Sequence, residues 1–229
     1  IELFVNLFAA ASLEMLEIAE AVIIGEHEDV DSLTQQALDN GTSALEIMDD
    51  GLIAGMGIVG IKFREDFIFV PEVLVCARAM KAGMAHIEPI LSASGAMTQE
   101  TVVMGTVKGD LHDIGKNLCI MMLRGAGLTV IDLGVDTAPE DFVNAVKETE
   151  AVVIGMSALL TTTMPNMERT IEVFRDVGLR SEVGIMVGGA PVTEEYAKSI
   201  GADAYGKDAT ACVEAAKGLA ATQHSKSAT

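Results

Sequence analysis

The stretch Thr101–Val107 reads TVVMGTV, a short apolar run rich in β-branched residues that is typical of a buried strand. A loop containing glycine follows it, and then residues 113–126 show the apolar spacing of a helix. The same order of strand, loop and helix recurs through the second half of the chain. Continuously apolar strands that alternate with helices are typical of a parallel sheet covered on both faces.

This pattern predicts an α/β fold in which a five-stranded, doubly wound parallel sheet of the flavodoxin or Rossmann type forms the second half of the chain. The further predicted strands are Thr129–Gly134, Ala151–Met156, Val183–Val187 and a weaker one at 203–206. The further predicted helices cover residues 139–149, 165–178, 193–200 and 209–220. In such a sheet, ligands bind beyond the carboxyl ends of the strands.

The first half of the chain has helical periodicity instead. Apolar residues recur at steps of three and four, which places them on one helix face, at Phe8, Ala11, Met15, Ile18 and Val22. Four or five helices packed as an antiparallel bundle are expected. The predicted organisation is a helical domain over 1–92, a linker over 93–100, the α/β domain over 101–220 and a loose polar tail over 221–229.

Several residues mark where these helices begin and end. Ser32–Gln35 and Ser43–Glu46 have the spacing of capping boxes, which predicts helix starts at both. Gly25 follows an apolar run as a helix stop, and Pro71 fits the first turn of a helix.

Charge and cysteine content exclude some classes of function. Lys and Arg number 15 against 34 Asp and Glu, a net charge of −19, and there is no basic stripe to neutralise nucleic-acid phosphates or an anionic membrane surface. The acidity suits solubility and docking to basic patches on partner proteins. Cys76, Cys119 and Cys212 lie far apart, as expected for free thiols in a reducing cytoplasm, and no leader or membrane-spanning run is evident.

The loop after the first predicted strand contains the residues best suited to metal chemistry. It reads GDLHDIGK over 109–116 and places His112 between Asp110 and Asp113. A ligating histidine presents one ring nitrogen to the metal while a carboxylate commonly holds the other, and Asp110 is close enough to do so. On this loop alone, a solvated surface pair is the more usual interpretation, and the glycines could equally be turn residues.

Two further strand ends extend the candidate site. The third strand runs into Gly155–Leu160 and then the threonines Thr161–Thr163, and the fourth runs into Gly188–Pro191. Small and hydroxyl residues at three strand ends predict a slot for an extended ligand tail. Tight strand-to-helix packing at Gly188–Gly189 and helix capping by the threonines are the alternatives.

Together these residues resemble the cobalamin-binding domain of B12-dependent methyltransferases and some mutases. The family pattern Asp-x-His-x-x-Gly, Ser-x-Leu, Gly-Gly appears here as Asp110–Gly115, Ser157–Leu159 and Gly188–Gly189, separated by 41 and 28 residues. Residues 43–91 resemble the helical cap that precedes this domain in methyl-transferring corrinoid proteins. Nearly the whole chain is therefore similar to the corrinoid protein of anaerobic methyltransferase systems and to the matching part of B12-dependent methionine synthase.

The resemblance implies a role for individual residues. His112 would be the lower ligand of cobalt, replacing the cofactor's own benzimidazole, and Asp110 and Thr163 would form a hydrogen-bonded relay behind it. Ser157, Leu159 and the two glycines would line a channel for the displaced nucleotide tail, and Phe69 and Val73 of the cap would cover the methyl-bearing face. The complete set expected to contact the cobalamin or related corrinoid is Gly109, Asp110, His112, Asp113, Ile114, Gly115, Ser157, Leu159, Thr161, Gly188, Gly189, Ala190, Phe69 and Val73.

The resemblance also implies a function that depends on other proteins. Cobalt would accept a methyl group from a substrate-specific methyltransferase and pass it to a second methyltransferase acting towards tetrahydrofolate or a thiol, and a reductive activator would restore the cofactor. The chain is then a component of a methyltransferase system and not a complete enzyme. The alternatives are the cobalamin-binding subunit of an adenosylcobalamin-dependent mutase, a cobalamin-sensing module, and a doubly wound domain without cobalt.

Overall fold

A computed structural model of the chain describes residues 12–94 and 100–227. They form two compact units, one before residue 100 and one from residue 100 onward, except that Gly125–Gly127 groups with the first. Among the described residues, no helix combines the length and the apolar character that crossing a bilayer demands.

The first unit is built from helices. They are α1 (Leu13–Ile24), α2 (His27–Asp39), α3 (Ala44–Glu46), a π-helical segment (Ile47–Ile53), α4 (Ala54–Arg64) and α5 (Val70–Ser94). Helix α2 packs along α5, and α1 packs against α2, α4 and the π-helical segment. Met15, Ile18 and Val22 are buried on one face of α1, as predicted, whereas Phe8 and Ala11 lie outside the described residues.

Most of the predicted helix signals are confirmed. The Ser43 hydroxyl accepts a hydrogen bond from the backbone N–H of Glu46 at 3.1 Å and so caps α3. Gly25 ends α1 in the left-handed conformation with φ 91°, which glycine adopts without a steric penalty. Pro71 lies in the first turn of α5.

The predicted helix start at Ser32 is wrong. Helix α2 already begins at His27, so Ser32 lies exposed inside it. The acidic residues Glu28 and Asp29 occupy its first turn, where negative charge interacts favourably with the helix dipole. The Ser-x-x-Gln spacing therefore falls within a helix that begins without a side-chain cap.

The second unit contains the predicted five-stranded parallel sheet. Its strands are β1 (Thr101–Thr106), β2 (Thr129–Asp132), β3 (Val153–Ser157), β4 (Gly184–Gly188) and β5 (Ala204–Gly206). Their order is β2-β1-β3-β4-β5, and all neighbouring pairs are parallel. The direction of winding reverses between β1 and β3, and a sheet of this kind binds ligands at that switch point.

Helices cover both faces of the sheet. They are α6 (Ile114–Gly125), α7 (Pro139–Thr149), α8 (Pro165–Asp176), α9 (Glu194–Ile200) and α10 (Ala209–Ser227). One apolar layer joins strand residues such as Ile154 to Phe142 of α7 and Phe174 of α8. The other joins Val153 and its neighbours to Leu123 of α6 and to α10. The central strands β1, β3 and β4 are buried on both faces, which explains their continuous apolar sequences, whereas β2 and β5 at the edges are only partly buried.

The predicted loose tail from residue 221 is wrong in the described part of the chain, because α10 continues to Ser227. Gln223 is buried, and His224 contacts Glu100, the residue before β1. The polar sequence at this end therefore belongs to a packed helix. Of the predicted linker, residues 93–94 complete α5, and residues 95–99 lie outside the described residues.

Candidate functional site

The loop between β1 and α6 holds Asp110 and His112 in direct contact. The Asp110 side chain is fully buried, and its Oδ1 accepts hydrogen bonds from both the ring Nδ1 of His112 at 2.8 Å and the backbone N–H of His112 at 3.1 Å. One carboxylate oxygen therefore fixes the ring and the backbone of the same histidine.

The second oxygen of Asp110 is bound by the loop that follows β3. It accepts hydrogen bonds from the backbone N–H groups of Leu159 at 2.8 Å and Leu160 at 3.2 Å, and from the Thr163 hydroxyl at 2.7 Å. Burial by itself raises the pKa of the Asp110 carboxyl, but these hydrogen bonds and those from His112 outweigh it and hold the pKa well below its usual range. Asp110 is therefore a carboxylate at neutral pH.

This arrangement prepares the other ring nitrogen of His112 for a ligand. A carboxylate acceptor at Nδ1 favours the tautomer with the proton on Nδ1, which leaves the lone pair on Nε2. Half of the His112 side chain is exposed, and Nε2 has no hydrogen-bond partner within residues 12–94 and 100–227. A single unpartnered nitrogen on a half-exposed ring suits an axial ligand to a metal that already has other ligands.

The two loops that hold His112 and Asp110 also carry exposed apolar side chains. Leu111 is 71% exposed and Ile114 is 82% exposed, and they flank His112 in the chain. Leu159 and Leu160, whose amides bind Asp110, are also exposed. Asp110 joins the two loops that carry these large apolar side chains. Together the side chains offer an exposed apolar surface to which a large apolar ligand can bind. The donor and its surroundings thus fit a metal inside a broad organic ring.

The strand ends predicted to line a slot lie side by side. Thr106, Ser157, Gly188 and Gly206 are paired in register across β1, β3, β4 and β5. A Cβ at Gly188 would lie 2.7 Å from the carbonyl oxygen of Gly206, so close backbone approach requires glycine there. Gly189, at φ 129°, is equally restricted by the carbonyl of Ala158. The atoms that leave no room for a Cβ at Gly188 and Gly189 therefore belong to the backbone of Gly206 and Ala158, and not to a helix packed on the strand.

The remaining predicted loop residues are exposed. Gly109 has φ 83° and so turns the chain before Asp110, and Gly115 has open space around it. The Asp113 carboxylate accepts a hydrogen bond from the side chain of Asn117 at 3.0 Å, whereas the ring Nδ1 of His112 is bound by Asp110. Thr161 and Ala190 are exposed within the loops after β3 and β4.

Models of protein families match both halves of the chain. A model described as B12 binding domain matches residues 100–216, and a second B12 binding domain model matches residues 16–88. Among curated proteins, dimethylamine corrinoid protein 3 of Methanosarcina acetivorans is 42% identical over 203 residues, covering 89% of this chain and 95% of that protein. The chain belongs to the B12-binding family of corrinoid proteins. The family predicted from Asp110–Gly115 and the later motifs is confirmed.

Other corrinoid relatives agree in length and fold. Trimethylamine corrinoid protein 2 of Methanosarcina mazei is 44% identical over 189 residues, covering 80% of this chain and 87% of that protein. The solved methanol:cobalamin methyltransferase complex of Methanosarcina barkeri matches with a TM-score of 0.81 and 30% identity, covering 95% of this chain and 85% of that chain. A cobalamin-binding protein of Desulfitobacterium hafniense matches with a TM-score of 0.74 and 27% identity, covering 90% and 98%.

Two corrinoid-contacting residues were predicted in the helical half. Phe69, immediately before α5, is 63% exposed, and the exposed side chains of Phe67 and Leu74 lie near it in the chain. Val73 is fully buried, so in this structure it offers no surface to a ligand. Phe69 is therefore the stronger candidate for contact with a corrinoid face.

Several residues that hold this corrinoid-family loop were missed from the sequence. The buried Thr106 hydroxyl donates to the backbone carbonyl of His112 at 2.9 Å. Asp136 accepts from the backbone N–H of Gly109 at 2.7 Å and from the Lys108 ammonium at 3.1 Å, and these bonds hold its pKa below its usual range. The Asn166 amide donates to the carbonyl of Lys108 at 2.7 Å. Asp136 and Asn166 lie 27 and 58 residues along the chain from the loop residues that they bind, so sequence spacing does not reveal these contacts.

Proposed function

We propose that this chain carries a corrinoid whose cobalt is bound from below by His112, and that it moves methyl groups between partner enzymes. The observation that carries the proposal is the Asp110–His112 contact, because it fixes the ring through Nδ1 and leaves Nε2 without a hydrogen-bond partner among the residues that the structure describes. That geometry is what axial ligation by one imidazole needs. The family assignment supplies the corrinoid as the ligand that fits.

The protein's residues would hold the cofactor, and the cofactor would supply the reaction. When bound, the corrinoid provides a cobalt centre that takes up a methyl group and releases it to another nucleophile. The low pKa of Asp110 keeps the carboxylate charged, so the proton of the pair stays on Nδ1 of His112. Thr163 orients that carboxylate through its hydroxyl at 2.7 Å. Thr163 therefore does not serve as a helix cap, the alternative that its sequence position left open.

The nucleotide tail of the corrinoid would lie at the strand ends. Ser157 and Gly188 are adjacent in the sheet, Leu159 lies two residues after Ser157, and Gly189 follows Gly188 directly. Ser157, Gly188 and Gly189 are partly buried, as expected for the wall of a slot, and Thr161 and Ala190 are exposed at its mouth. The backbone contacts at Gly188 and Gly189 explain the glycines without a ligand, so the tail assignment depends on the family pattern and on the position of these residues.

The helical unit would protect the methyl-bearing face of the corrinoid, with Phe69 as the contacting side chain. Phe69 is well exposed and aromatic, and it precedes the long helix α5. A face that exchanges methyl groups with two partners must be covered at rest and uncovered during transfer. The helical unit would therefore move away when a partner binds.

The partners would be a substrate-specific methyltransferase, a second methyltransferase acting towards tetrahydrofolate or a thiol, and a reductive activator. A methyltransferase partner is supported by the likeness to the methanol:cobalamin methyltransferase complex. The net charge of −19 favours partners with basic docking surfaces and disfavours nucleic acid. The free thiols of Cys76, Cys119 and Cys212 suit the cytoplasm.

Reconstitution and transfer test this function together. The purified protein is incubated with methylcobalamin, separated from free cofactor by gel filtration, and mixed with a thiol and a thiol methyltransferase from a corrinoid system. Retained corrinoid and methylated thiol are expected with wild type. His112→Ala is expected to retain much less corrinoid. Failure of wild type to retain corrinoid would overturn the proposal.

A further inference from the structure

Lys116 is a buried cation beside the candidate ligand. It lies in the first turn of α6, four residues after His112, and only 2% of it is exposed. Its ammonium donates to Oδ1 of Asp132 at the end of β2, at 2.6 Å, and to the side-chain oxygen of Asn117 at 2.7 Å. Neither contact was predicted from the sequence.

Stability does not account for this placement. A cation in the first turn of a helix opposes the helix dipole, which favours negative charge there. Removing an ammonium from water is costly, and a buried ion pair is commonly no more stabilising than apolar residues of the same size. The better-attested role of a buried ion pair is to fix one arrangement of the chain among several.

One arm of the network leads from Lys116 to the backbone of His112. Oδ1 of Asp132, besides binding the ammonium, accepts the backbone N–H of Gly134 at 2.9 Å. The carbonyl of Gly134 accepts the backbone N–H of Thr106 at 3.0 Å. The Thr106 hydroxyl in turn donates to the carbonyl of His112 at 2.9 Å.

The other arm leads to the residue after the histidine. Asn117, bound to the Lys116 ammonium, donates through its amide nitrogen to the Asp113 carboxylate at 3.0 Å. Its backbone N–H also donates to the carbonyl of Asp113 at 2.7 Å. One arm therefore holds the carbonyl of His112, and the other holds the carboxylate and the carbonyl of Asp113. Asp110 instead binds the ring and the backbone N–H of His112.

We propose that Lys116 is a positioning residue that fixes the backbone of His112 towards the corrinoid, by a route independent of Asp110. The inference depends on the proposed corrinoid function, since it assigns Lys116 to the same ligand. Asp110 orients the imidazole ring, and the Lys116 network sets where the backbone carries that ring. Both are needed because a ligand that can shift binds its metal less tightly.

The test compares wild type, Lys116→Met and Asn117→Ala. In the proteins without corrinoid, hydrogen exchange is followed by mass spectrometry in peptides covering residues 108–113. Lys116→Met is expected to exchange about tenfold faster there, with α8 unchanged. In a titration with cobalamin, the affinity of Lys116→Met for the corrinoid is expected to be about tenfold lower than that of wild type. This is the lower end of the range for loss of an outer partner of a metal ligand. Asn117→Ala loses one arm only, so a smaller change in the same direction is expected.

Two controls separate positioning from general destabilisation. Lys198→Met removes the Lys198–Glu194 ion pair, which is exposed on α9 in the same unit. Ile171 is a core residue of α8, on the face of the sheet opposite to α6. Ile171→Val is expected to lower the melting temperature without touching the Lys116 network. Neither is expected to change exchange in residues 108–113 or corrinoid affinity. Asn117 is exposed, so its variant folds even if Lys116→Met does not.

The outcomes distinguish this inference from the proposed function. If wild type binds corrinoid through a histidine nitrogen and both variants match it in exchange and in affinity, the Lys116 inference is wrong and the function stands. If wild type binds no corrinoid, the function is wrong, whatever the exchange data show. Faster exchange and weaker binding in both variants, with both controls unchanged, is the result that supports the inference.

Discussion

Asp110 contacts His112 twice through a single oxygen, at 2.8 Å from the ring Nδ1 and at 3.1 Å from the backbone N–H. Its other oxygen is occupied by three donors from the loop after β3. The carboxylate is therefore fully used as an acceptor, and the two loops at the switch point of the sheet are joined through it.

Replacing Asp110 with asparagine is expected to weaken corrinoid binding about 10- to 100-fold, as is typical when a residue that orients a metal ligand is lost. The amide nitrogen of asparagine must face either His112 or the donors around Thr163, and it cannot accept from them. Titration of the apo-protein with cobalamin measures the change. Asp176→Asn, at an exposed position at the end of α8, is the matched control. Equal affinities for both variants and wild type would argue against the role given to Asp110.

The same carboxylate should make stability depend on pH. Because the pKa of Asp110 is lowered by folding, the folded state gains stability above the ordinary pKa of aspartate, about 4, and loses it as the pH falls. The difference in the free energy of unfolding between wild type and Asp110→Asn should be largest near pH 7 and shrink below about pH 4. Urea unfolding across this range measures it. A difference that does not vary with pH would show that Asp110 is not held as a carboxylate.

Thr163 offers a graded test of the same contact. Thr163→Val keeps the shape of the side chain but removes the hydroxyl that donates to Asp110, and a loss of about 1 kcal/mol in stability is expected. Thr163→Ser keeps the hydroxyl and should retain more of the corrinoid affinity. Thermal unfolding and cobalamin titration are run on both variants. A serine variant that binds as weakly as the valine variant would show that the hydroxyl is not what matters.

The sequence predicted the α/β unit well, for a physical reason. Strands buried on both faces need continuous apolar runs, and these differ clearly from the polar loops and amphipathic helices around them. The polar end of the chain misled the prediction because Gln223 is buried in α10, although its composition is that of a loose tail. The π-helical segment Ile47–Ile53 was not predicted, because its sequence does not differ from that of an ordinary helix.

The candidate site was predicted only where its residues lie within one motif or belong to the family pattern. Asp110 and His112 are two residues apart, and Thr163 was reached through the resemblance. The contacts of Thr106 and Lys116 were missed because each depends on a backbone or a carboxylate brought close by folding. A lysine near a glycine is usually a solvent-exposed residue, and nothing in its spacing indicates that it is buried.

Two glycines in the site should respond to alanine in opposite ways. Gly115 lies exposed in the first turn of α6 with nothing within 4 Å of an added Cβ, so Gly115→Ala should leave stability unchanged or raise it by up to about 1 kcal/mol. Corrinoid affinity should fall, because the methyl group would occupy open surface beside His112.

At Gly189, φ is 129° and a Cβ would overlap the carbonyl of Ala158, so Gly189→Ala should lose more than about 2 kcal/mol. Chemical unfolding and titration of both glycine variants give the comparison. Loss of stability in Gly115→Ala would contradict the open surroundings described for that residue.

The exposed apolar residues beside His112 should affect binding and not folding. Leu111→Gln and Ile114→Gln are each expected to change stability by less than about 0.5 kcal/mol, because both side chains are largely exposed. Each should weaken corrinoid binding about tenfold if a corrin ring covers it, since burying such a side chain is worth roughly 1.5–3 kcal/mol. Val177→Gln, an exposed apolar residue at the end of α8, is the control. Unchanged affinity in both variants would place the ring elsewhere.

Ligation of the cobalt by His112 can be measured by EPR of the Co(II) corrinoid bound to protein labelled uniformly with nitrogen-15. The cofactor is unlabelled, so the source of the axial nitrogen can be read from its splitting. A doublet from the labelled histidine is expected in wild type and is lost in His112→Ala. A triplet in the labelled wild type would come from the cofactor's own benzimidazole and would show that His112 is not the axial ligand.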